Sequence, residues 1–177
     1  MKIEYYHASK YGNGARIAEE FKRQMAAKGV TVDVHHVRDT KREQIPPADL
    51  YLFSSPGRFG KPIGDMERFL KKINLPPGTK YALVVTELCP KPDNSVERIP
   101  AEENTGKCQR VIPIMNKILR EKSLVKVAEG KIFVTGIKGP LEDGWEKIVE
   151  AFIFQIRIPP VAVADERQND SQVALVS

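Results

Sequence analysis

Cysteine is scarce in this chain, and long apolar runs are missing. The two cysteines, Cys89 and Cys108, are too few for a disulfide framework, so we expect a reduced, cytoplasmic protein. Two unrelated thiols are expected, and a redox clasp between them is the alternative. No apolar run approaches the roughly 20 residues that span a bilayer. The N-terminal stretch MKIEYYHASKYG also lacks the features of a secretory signal, so we expect no membrane association.

Charge of one sign is not concentrated in any block. The net charge of +5 could indicate an acidic partner such as nucleic acid. However, Lys and Arg are interspersed with Asp and Glu, as in EEFKRQ, RDTKREQ and ERFLKK. This pattern is typical of solvated helix faces, and we expect no nucleic acid to bind.

Several well-defined catalytic and nucleotide-binding motifs are absent. The chain has neither the Gly-x-Gly-x-x-Gly fingerprint of dinucleotide sites nor the Lys-Ser/Thr ending of a triphosphate P-loop. No Ser-His-Asp, Cys-His or metal-ligand spacing occurs, and His7, His35 and His36 form no recognisable motif. We therefore predict no metal site and assign no catalytic residue.

Strand-like and helix-like segments alternate along the chain. Helical periodicity follows most of the apolar runs, and Pro113 lies either in the first turn of the third helix or at a kink in it. Strands are predicted at 2–8, 30–37, 49–55, 80–86 and 131–137, and helices at 15–28, 65–73, from about 112, and at 142–158.

This alternation predicts an α/β fold with a mostly parallel sheet covered by helices on both faces. The leading topology is a doubly wound sheet of five strands, in one domain over residues 1–158 with a polar tail at 159–177. Ligands bind such sheets beyond the carboxyl ends of the strands, where the strand order reverses. The loops at 9–14, 55–62 and 87–107 are therefore the candidate binding loops.

One residue conflicts with a buried first strand. Glu4 occupies a position where a central strand would carry an apolar side chain, and a buried carboxylate needs a partner. His35 or His36 on the neighbouring strand could supply it. The alternative is a more exposed strand.

The first loop, SKYGNG, has the composition of an anion site. Ser9 offers a hydroxyl, and Gly12 allows the backbone to approach an anion closely. The N–H groups of Asn13 and Gly14 would lie at a helix N-terminus, which favours negative charge. An ordinary tight turn into a helix is the alternative.

In the second loop, glycines and a proline shape a turn from which two side chains project. Pro56, Gly57 and Gly60 form the turn and leave Arg58 and Phe59 free to contact a ligand. The alternative is a surface arginine beside a partly buried phenylalanine.

These segments resemble the flavodoxin-like family. SKYGN is a common form of the family's Ser/Thr-x-x-Gly-x-Thr loop, which wraps the terminal phosphate of FMN, although Gly14 stands at the usual threonine. DLYLFSSPGRFGKPIGDMERFLKK is similar to the second flavin loop, and GPLEDGWEKIVEAF is typical of the last strand-to-helix junction. The resemblance covers about residues 1–157 and implies a three-layer fold with strand order 2-1-3-4-5.

The resemblance implies FMN as the cofactor, with Phe59 stacked on its ring and Arg58 at its pyrimidine edge. The missing hydroxyl at Gly14 should weaken FMN retention, and a threonine there should tighten it. The 87–107 loop lacks the aromatic and glycine residues that often cover the flavin. It is a lid, a partner-binding element or a disordered segment. The predicted FMN-binding residues are Ser9, Lys10, Tyr11, Gly12, Asn13, Gly14, Ser55, Pro56, Gly57, Arg58, Phe59, Gly60, Thr86, Glu87 and Leu88.

The resemblance leaves three functions open. The first is an electron carrier between redox partners, and the second is an FMN oxidoreductase of NAD(P)H:quinone or protoporphyrinogen type. The third is a domain without flavin that acts in protein interaction. The partner would be a redox protein or a small quinone-like acceptor, and the basic net charge favours two-electron reduction or an acidic partner. A homo-oligomer held through Val173, Leu175 and Val176 of the tail is a further hypothesis.

Overall fold

The computed structural model describes residues 1–89 and 110–159, and these residues form a sheet between two layers of helices. The strands are β1 (Lys2–His7), β2 (Thr31–His36), β3 (Leu50–Arg58), β4 (Lys61–Pro62), β5 (Lys80–Leu88) and β6 (Val125–Val134). The helices are α1 (Asn13–Ala26), α2 (Gly64–Lys72), α3 (Val111–Glu121) and α4 (Trp145–Gln155), with a short 3₁₀ turn at Arg42–Gln44.

The sheet has the predicted doubly wound topology. Its main path runs β2-β1-β3-β5-β6, and every neighbouring pair on this path is parallel. The two-residue β4 pairs antiparallel with the end of β3. The predicted order 2-1-3-4-5 is thus confirmed, and β4 changes only the numbering of the last two strands.

Two apolar layers, one on each face of the sheet, hold the fold together. One layer packs under α1 and α4, where the predicted α1 stripe is buried. The other packs under α2 and α3 and includes Tyr6, Phe53 and Phe69. Because both faces are covered, central strands such as β3 and β5 carry nearly continuous apolar runs. The α1 stripe consists of Ile17, Ala18, Phe21 and Met25.

The last strand differs most from its prediction. β6 covers Val125–Val134, whereas the apolar run predicted 131–137. β6 lies at the edge of the sheet and carries polar residues such as Lys126, Glu129 and Lys131. An edge strand tolerates these residues because one side of it is open to water, so an apolar pattern alone detects only part of the strand.

Two questions that the sequence left open are resolved. α3 begins at Val111, so Pro113 lies in the first turn, where its missing N–H removes no helical hydrogen bond. Glu4 is fully buried, and its Oε2 lies 2.6 Å from Nε2 of His35. The Nζ of Lys2 lies 2.8 Å from the other carboxylate oxygen, so the expected partner is present together with a second one.

Candidate functional site

A cavity of about 350 Å³ opens at the carboxyl edge of the sheet. It lies beyond the ends of the paired strands β1 and β3, and the loops that follow these two strands form two of its walls. The ends of β5 and β6 complete it. The lining residues are Ser9, Lys10, Tyr11, Asn13, Gly14, Pro56, Gly57, Arg58, Phe59, Ile63, Thr86, Leu88, Val134 and Ile137.

The first wall joins Ser9 to the N-terminus of α1. Gly12 caps this helix at φ 87°, a left-handed conformation that favours glycine, and no side chain within residues 1–89 and 110–159 caps the helix. The amide of Arg16 is bonded to the Gly12 carbonyl at 2.9 Å, and the first turn carries no acidic residue. The preceding N–H groups and the positive end of the helix dipole are therefore available to an anion.

Gly14 has a steric role that the motif did not reveal. It is buried, and a Cβ built on it would lie 3.2 Å from Cβ of Ser9 and 3.5 Å from its Oγ. A contact of 3.2 Å is tight enough that Ser9 would have to shift by a few tenths of an ångström. The absent side chain thus allows the loop to fold closely over the start of the helix.

The second wall is a tight β-hairpin. Gly57 pairs with Pro62 and Arg58 with Lys61, so Phe59 and Gly60 alone form the turn. Both have positive φ, 53° and 72°, as a two-residue type I′ turn requires. Phenylalanine is unusual in this conformation, and the side chain of Phe59 is 92% exposed. The hairpin therefore holds a bare aromatic ring at the rim of the cavity.

Ser55 holds the base of this hairpin. Its buried hydroxyl accepts a hydrogen bond from the Ile63 N–H at 3.1 Å and donates one to the Pro56 carbonyl at 3.0 Å. At the tip, the guanidinium carbon of Arg58 lies 5.7 Å from the centre of the Phe59 ring, within the range of a cation–π contact.

At the end of β5, successive side chains point to opposite faces of the sheet. Thr86 and Leu88 line the cavity, whereas Glu87 points to the opposite face and is 4% exposed. Its Oε2 lies 2.9 Å from Nζ of Lys131. A Cβ built on Gly57 would come within 3.0 Å of Cγ of Glu87, so this side chain supports the second loop from beneath.

The loop after β6 forms a further wall that the sequence did not indicate. Asn13 Nδ2 donates a hydrogen bond of 3.3 Å to the Lys138 carbonyl, which ties this loop to the start of α1. The ammonium groups of Lys10 and Lys138 lie 5.5 and 6.0 Å from the centre of the Tyr11 ring. The mouth of the cavity therefore carries cations near its first wall.

Most of the predicted residues meet around this cavity. Four of them do not line it: Gly12 caps α1, Ser55 bonds within the hairpin, Gly60 forms the turn and Glu87 faces the other side. Three lining residues were not predicted, namely Ile63, Val134 and Ile137. Neighbouring parallel strands end at the same edge of a sheet. If the end of β6 had been predicted correctly, this rule could have identified Val134 and Ile137.

Other predictions lie wholly or largely outside the described residues. Cys108, most of the 87–107 loop and nearly all of the tail belong to this group, so their roles stay predictions. Within residues 1–89 and 110–159, no cluster of His, Cys, Asp or Glu could hold a metal ion. None of the helices described there has the length and hydropathy to cross a bilayer.

Comparisons with known structures give a consistent assignment. Flavodoxin 2 of Bacillus cereus matches with a TM-score of 0.65 and 18% identity, over 88% of this chain and 97% of its own. An archaeal flavodoxin matches with a TM-score of 0.63 and 17% identity, over 88% of this chain and 96% of its own. The chain has the flavodoxin-like fold.

A similar domain also occurs within a larger protein. The rubredoxin:oxygen oxidoreductase of Desulfovibrio gigas matches at a TM-score of 0.55 and 12% identity, over 87% of this chain but only 36% of its own. No protein-family model and no curated protein matches the sequence.

In a flavodoxin-like fold, the strand order reverses between β1 and β3, and this point is where FMN binds in flavodoxins. The cavity lies there, and its composition fits such a ligand. An uncapped helix end and a hydroxyl lie at one side, and apolar side chains such as Ile63, Leu88 and Ile137 lie around the rest. Two of the described lining residues, Lys10 and Arg58, are cationic and none is acidic.

Proposed function

We propose that this chain binds FMN and carries electrons between redox partners. The observation that supports this most is the cavity at the β1–β3 switch point, which joins an uncapped helix N-terminus to apolar walls. When bound, FMN would supply one- and two-electron chemistry. The flavin-binding domain would span residues 1–158, with 159–177 as a tail.

Each part of the cavity has a role toward FMN in this proposal. The phosphate would be held by the Ser9 hydroxyl and by the N–H groups at the start of α1. The ring would lie against the apolar walls, with Phe59 available to stack on it. Gly57 keeps the second loop close to β5, where a larger side chain would meet Val111 and Glu87 at 2.9–3.0 Å.

Flavin binding itself is the first test. Titration of the purified protein with FMN, followed by quenching of flavin fluorescence, should give one site per chain. Riboflavin, which has the same ring but no phosphate, should bind more weakly. Absence of binding to both flavins would favour the third hypothesis, a flavodoxin-like domain that acts in protein interaction.

The cationic lining bears on the redox role. A positive charge near the ring favours the negative charge that FMN gains on reduction, because opposite charges attract strongly in a partly dehydrated site. Arg58→Gln should therefore lower the two-electron midpoint potential of bound FMN by on the order of 20–40 mV, equivalent to about 1–2 kcal/mol. Lys28→Gln, beyond the opposite end of α1, is the matched control.

The same cations favour a second candidate, an FMN oxidoreductase that uses a small quinone-like acceptor. Among the described residues the lining contains no carboxylate, which suits two-electron chemistry and acceptors that become anionic. Oxidation of NADPH that depends on an added quinone would support the enzyme. Rapid electron exchange with an acidic redox protein, without such turnover, would support the carrier.

A further inference from the structure

Two histidines lie directly beneath the first loop, although no sequence motif connects them with it. His7 ends β1 and His36 ends β2, and the parallel pairing places them side by side. Their rings meet edge to face, with centroids 5.0 Å apart. His7 is 8% exposed and lines no wall of the cavity.

Both histidines bond to the main chain of one residue, Ser9. The Ser9 N–H donates to Nδ1 of His7 at 3.3 Å, and Nε2 of His36 lies 3.0 Å from the Ser9 carbonyl. The last sheet bond of this segment runs from the Ala8 N–H to the Ser54 carbonyl, at 3.1 Å. One residue beyond this bond, the two imidazoles therefore replace the main-chain groups of the neighbouring strands as hydrogen-bond partners.

The surrounding bonds determine the tautomer of each ring. The Arg38 N–H donates to Nδ1 of His36 at 3.1 Å, so the proton of His36 is on Nε2 and is donated to the Ser9 carbonyl. His7 accepts at Nδ1, so its proton is on Nε2. A neutral His7 agrees with its burial and with the adjacent His36, which lower its pKa to about 4.

We propose that His7 and His36 are positioning residues that hold Ser9 for recognition of the flavin's phosphate. This inference rests on the proposed FMN function and adds residues that do not touch the ligand. Ser9 lies outside both β1 and α1, so without the imidazoles neither of its peptide groups has a sheet or helix partner. Its hydroxyl would then be free to leave the position beneath Gly14.

The test uses two variants of each histidine: one removes its bond to Ser9, and the other preserves it. His7→Leu and His36→Leu remove the acceptor and the donor. His7→Asn places an amide oxygen where Nδ1 was, and His36→Gln places an amide N–H where Nε2 was. Each variant is titrated with FMN and with riboflavin, after its unfolding curve has shown that it is folded.

The expected result is a selective loss of phosphate recognition. Each Leu variant should bind FMN about 2- to 12-fold more weakly, the range for one hydrogen bond, while its riboflavin affinity stays within about twofold of the wild type. His7→Asn and His36→Gln should recover most of the FMN affinity. An equal loss for both flavins, or no rescue by the amide variants, would overturn the inference.

A second readout needs no flavin, so it separates failure of the inference from failure of the proposed function. Imidazole ¹⁵N shifts should show the Nε2-protonated tautomer for both histidines at neutral pH. Hydrogen exchange at the Ser9 amide should be slow in the wild type and in His7→Asn, and faster in His7→Leu. An exchange rate that does not differ among the three would rule out the positioning role even if the protein binds no FMN.

Discussion

Glu4 and His35 form a close pair across β1 and β2, with 2.6 Å between Oε2 and Nε2. The Glu4 carboxylate is completely buried, whereas the imidazole reaches the solvent. Lys2 adds its ammonium group at 2.8 Å from Oε1. A carboxylate is thus accommodated in a central strand because two basic groups at the sheet surface extend over it.

The first prediction concerns this pair. Glu4→Met removes the acceptor and His35→Leu removes the donor, so a double-mutant cycle should give a coupling energy of about 1.5–3 kcal/mol, the range for a hydrogen bond to a charged group. Urea unfolding of the four proteins measures it. Additive effects would mean that the two side chains contribute independently, contrary to the structure.

The second prediction separates the two effects of Gly14. Gly14→Ala should weaken FMN binding, because its Cβ would press on Ser9 at 3.2 Å. Gly14→Thr adds a hydroxyl and should bind FMN about 2- to 12-fold more tightly than the alanine variant. Riboflavin serves as the control, since the hydroxyl should not change its affinity. If threonine is no better than alanine, the phosphate does not bind at this loop.

The third prediction concerns the turn residue Phe59. Phe59→Asn should stabilise the flavin-free protein by about 1 kcal/mol, because asparagine adopts positive φ more readily. The same change should weaken the binding of FMN and of riboflavin about equally, by roughly 2- to 12-fold for one lost aromatic contact. Phe154→Asn is a suitable control, since Phe154 is another exposed phenylalanine and lies on α4. Unchanged flavin affinity in Phe59→Asn would remove this ring from the site.

The fourth prediction tests the support beneath the second loop. Lys131→Met leaves the buried Glu87 carboxylate without its ammonium partner and should cost about 1–3 kcal/mol of unfolding free energy, less than for a fully buried pair because Lys131 is partly exposed. Lys131→Met combined with Glu87→Gln should recover part of this loss. Lys71→Met, which breaks the more exposed pair with Glu67, should change stability by less than about 0.5 kcal/mol.

The fifth prediction is a pH dependence that arises from His7. Burial and the adjacent His36 and His35 lower its pKa to about 4, while Asp39 opposes this shift. An unfolded histidine takes up a proton near pH 6.5, so between pH 6.5 and 4 the unfolded state holds more protons. The unfolding free energy should fall as the pH falls through this window, by up to about 1.4 kcal/mol per pH unit from this group.

The control for this pH dependence is His7→Asn, which cannot titrate. Its unfolding free energy, measured in urea between pH 7 and 4, should decrease less steeply than that of the wild type. Asp65 behaves differently, because Arg38 and Arg68 hold its pKa below the usual range and its contribution is lost only in more acidic solution. Identical slopes in the two proteins would show that His7 is not held neutral by the fold.

Local sequence patterns were sufficient to predict the structural features that depend on the periodicity of the segments themselves. The spacing of Ile17, Phe21 and Met25 predicted the buried face of α1, and all three are buried. The alternation of strands and helices predicted the topology, because parallel strands need helical crossovers of one hand. β6 was delimited poorly because its edge position admits polar residues that break the apolar pattern.

The amino-acid sequence by itself therefore determined the order of elements, the topology of the sheet and two of the loops at its carboxyl edge, since these depend on local periodicity and turn residues. Only the tertiary structure decided that His7 and His36 meet at Ser9, and that Gly14 packs against the same residue. The reason is physical: strand register follows from packing on both faces of the sheet, and a shift by one residue would turn these side chains to the other face.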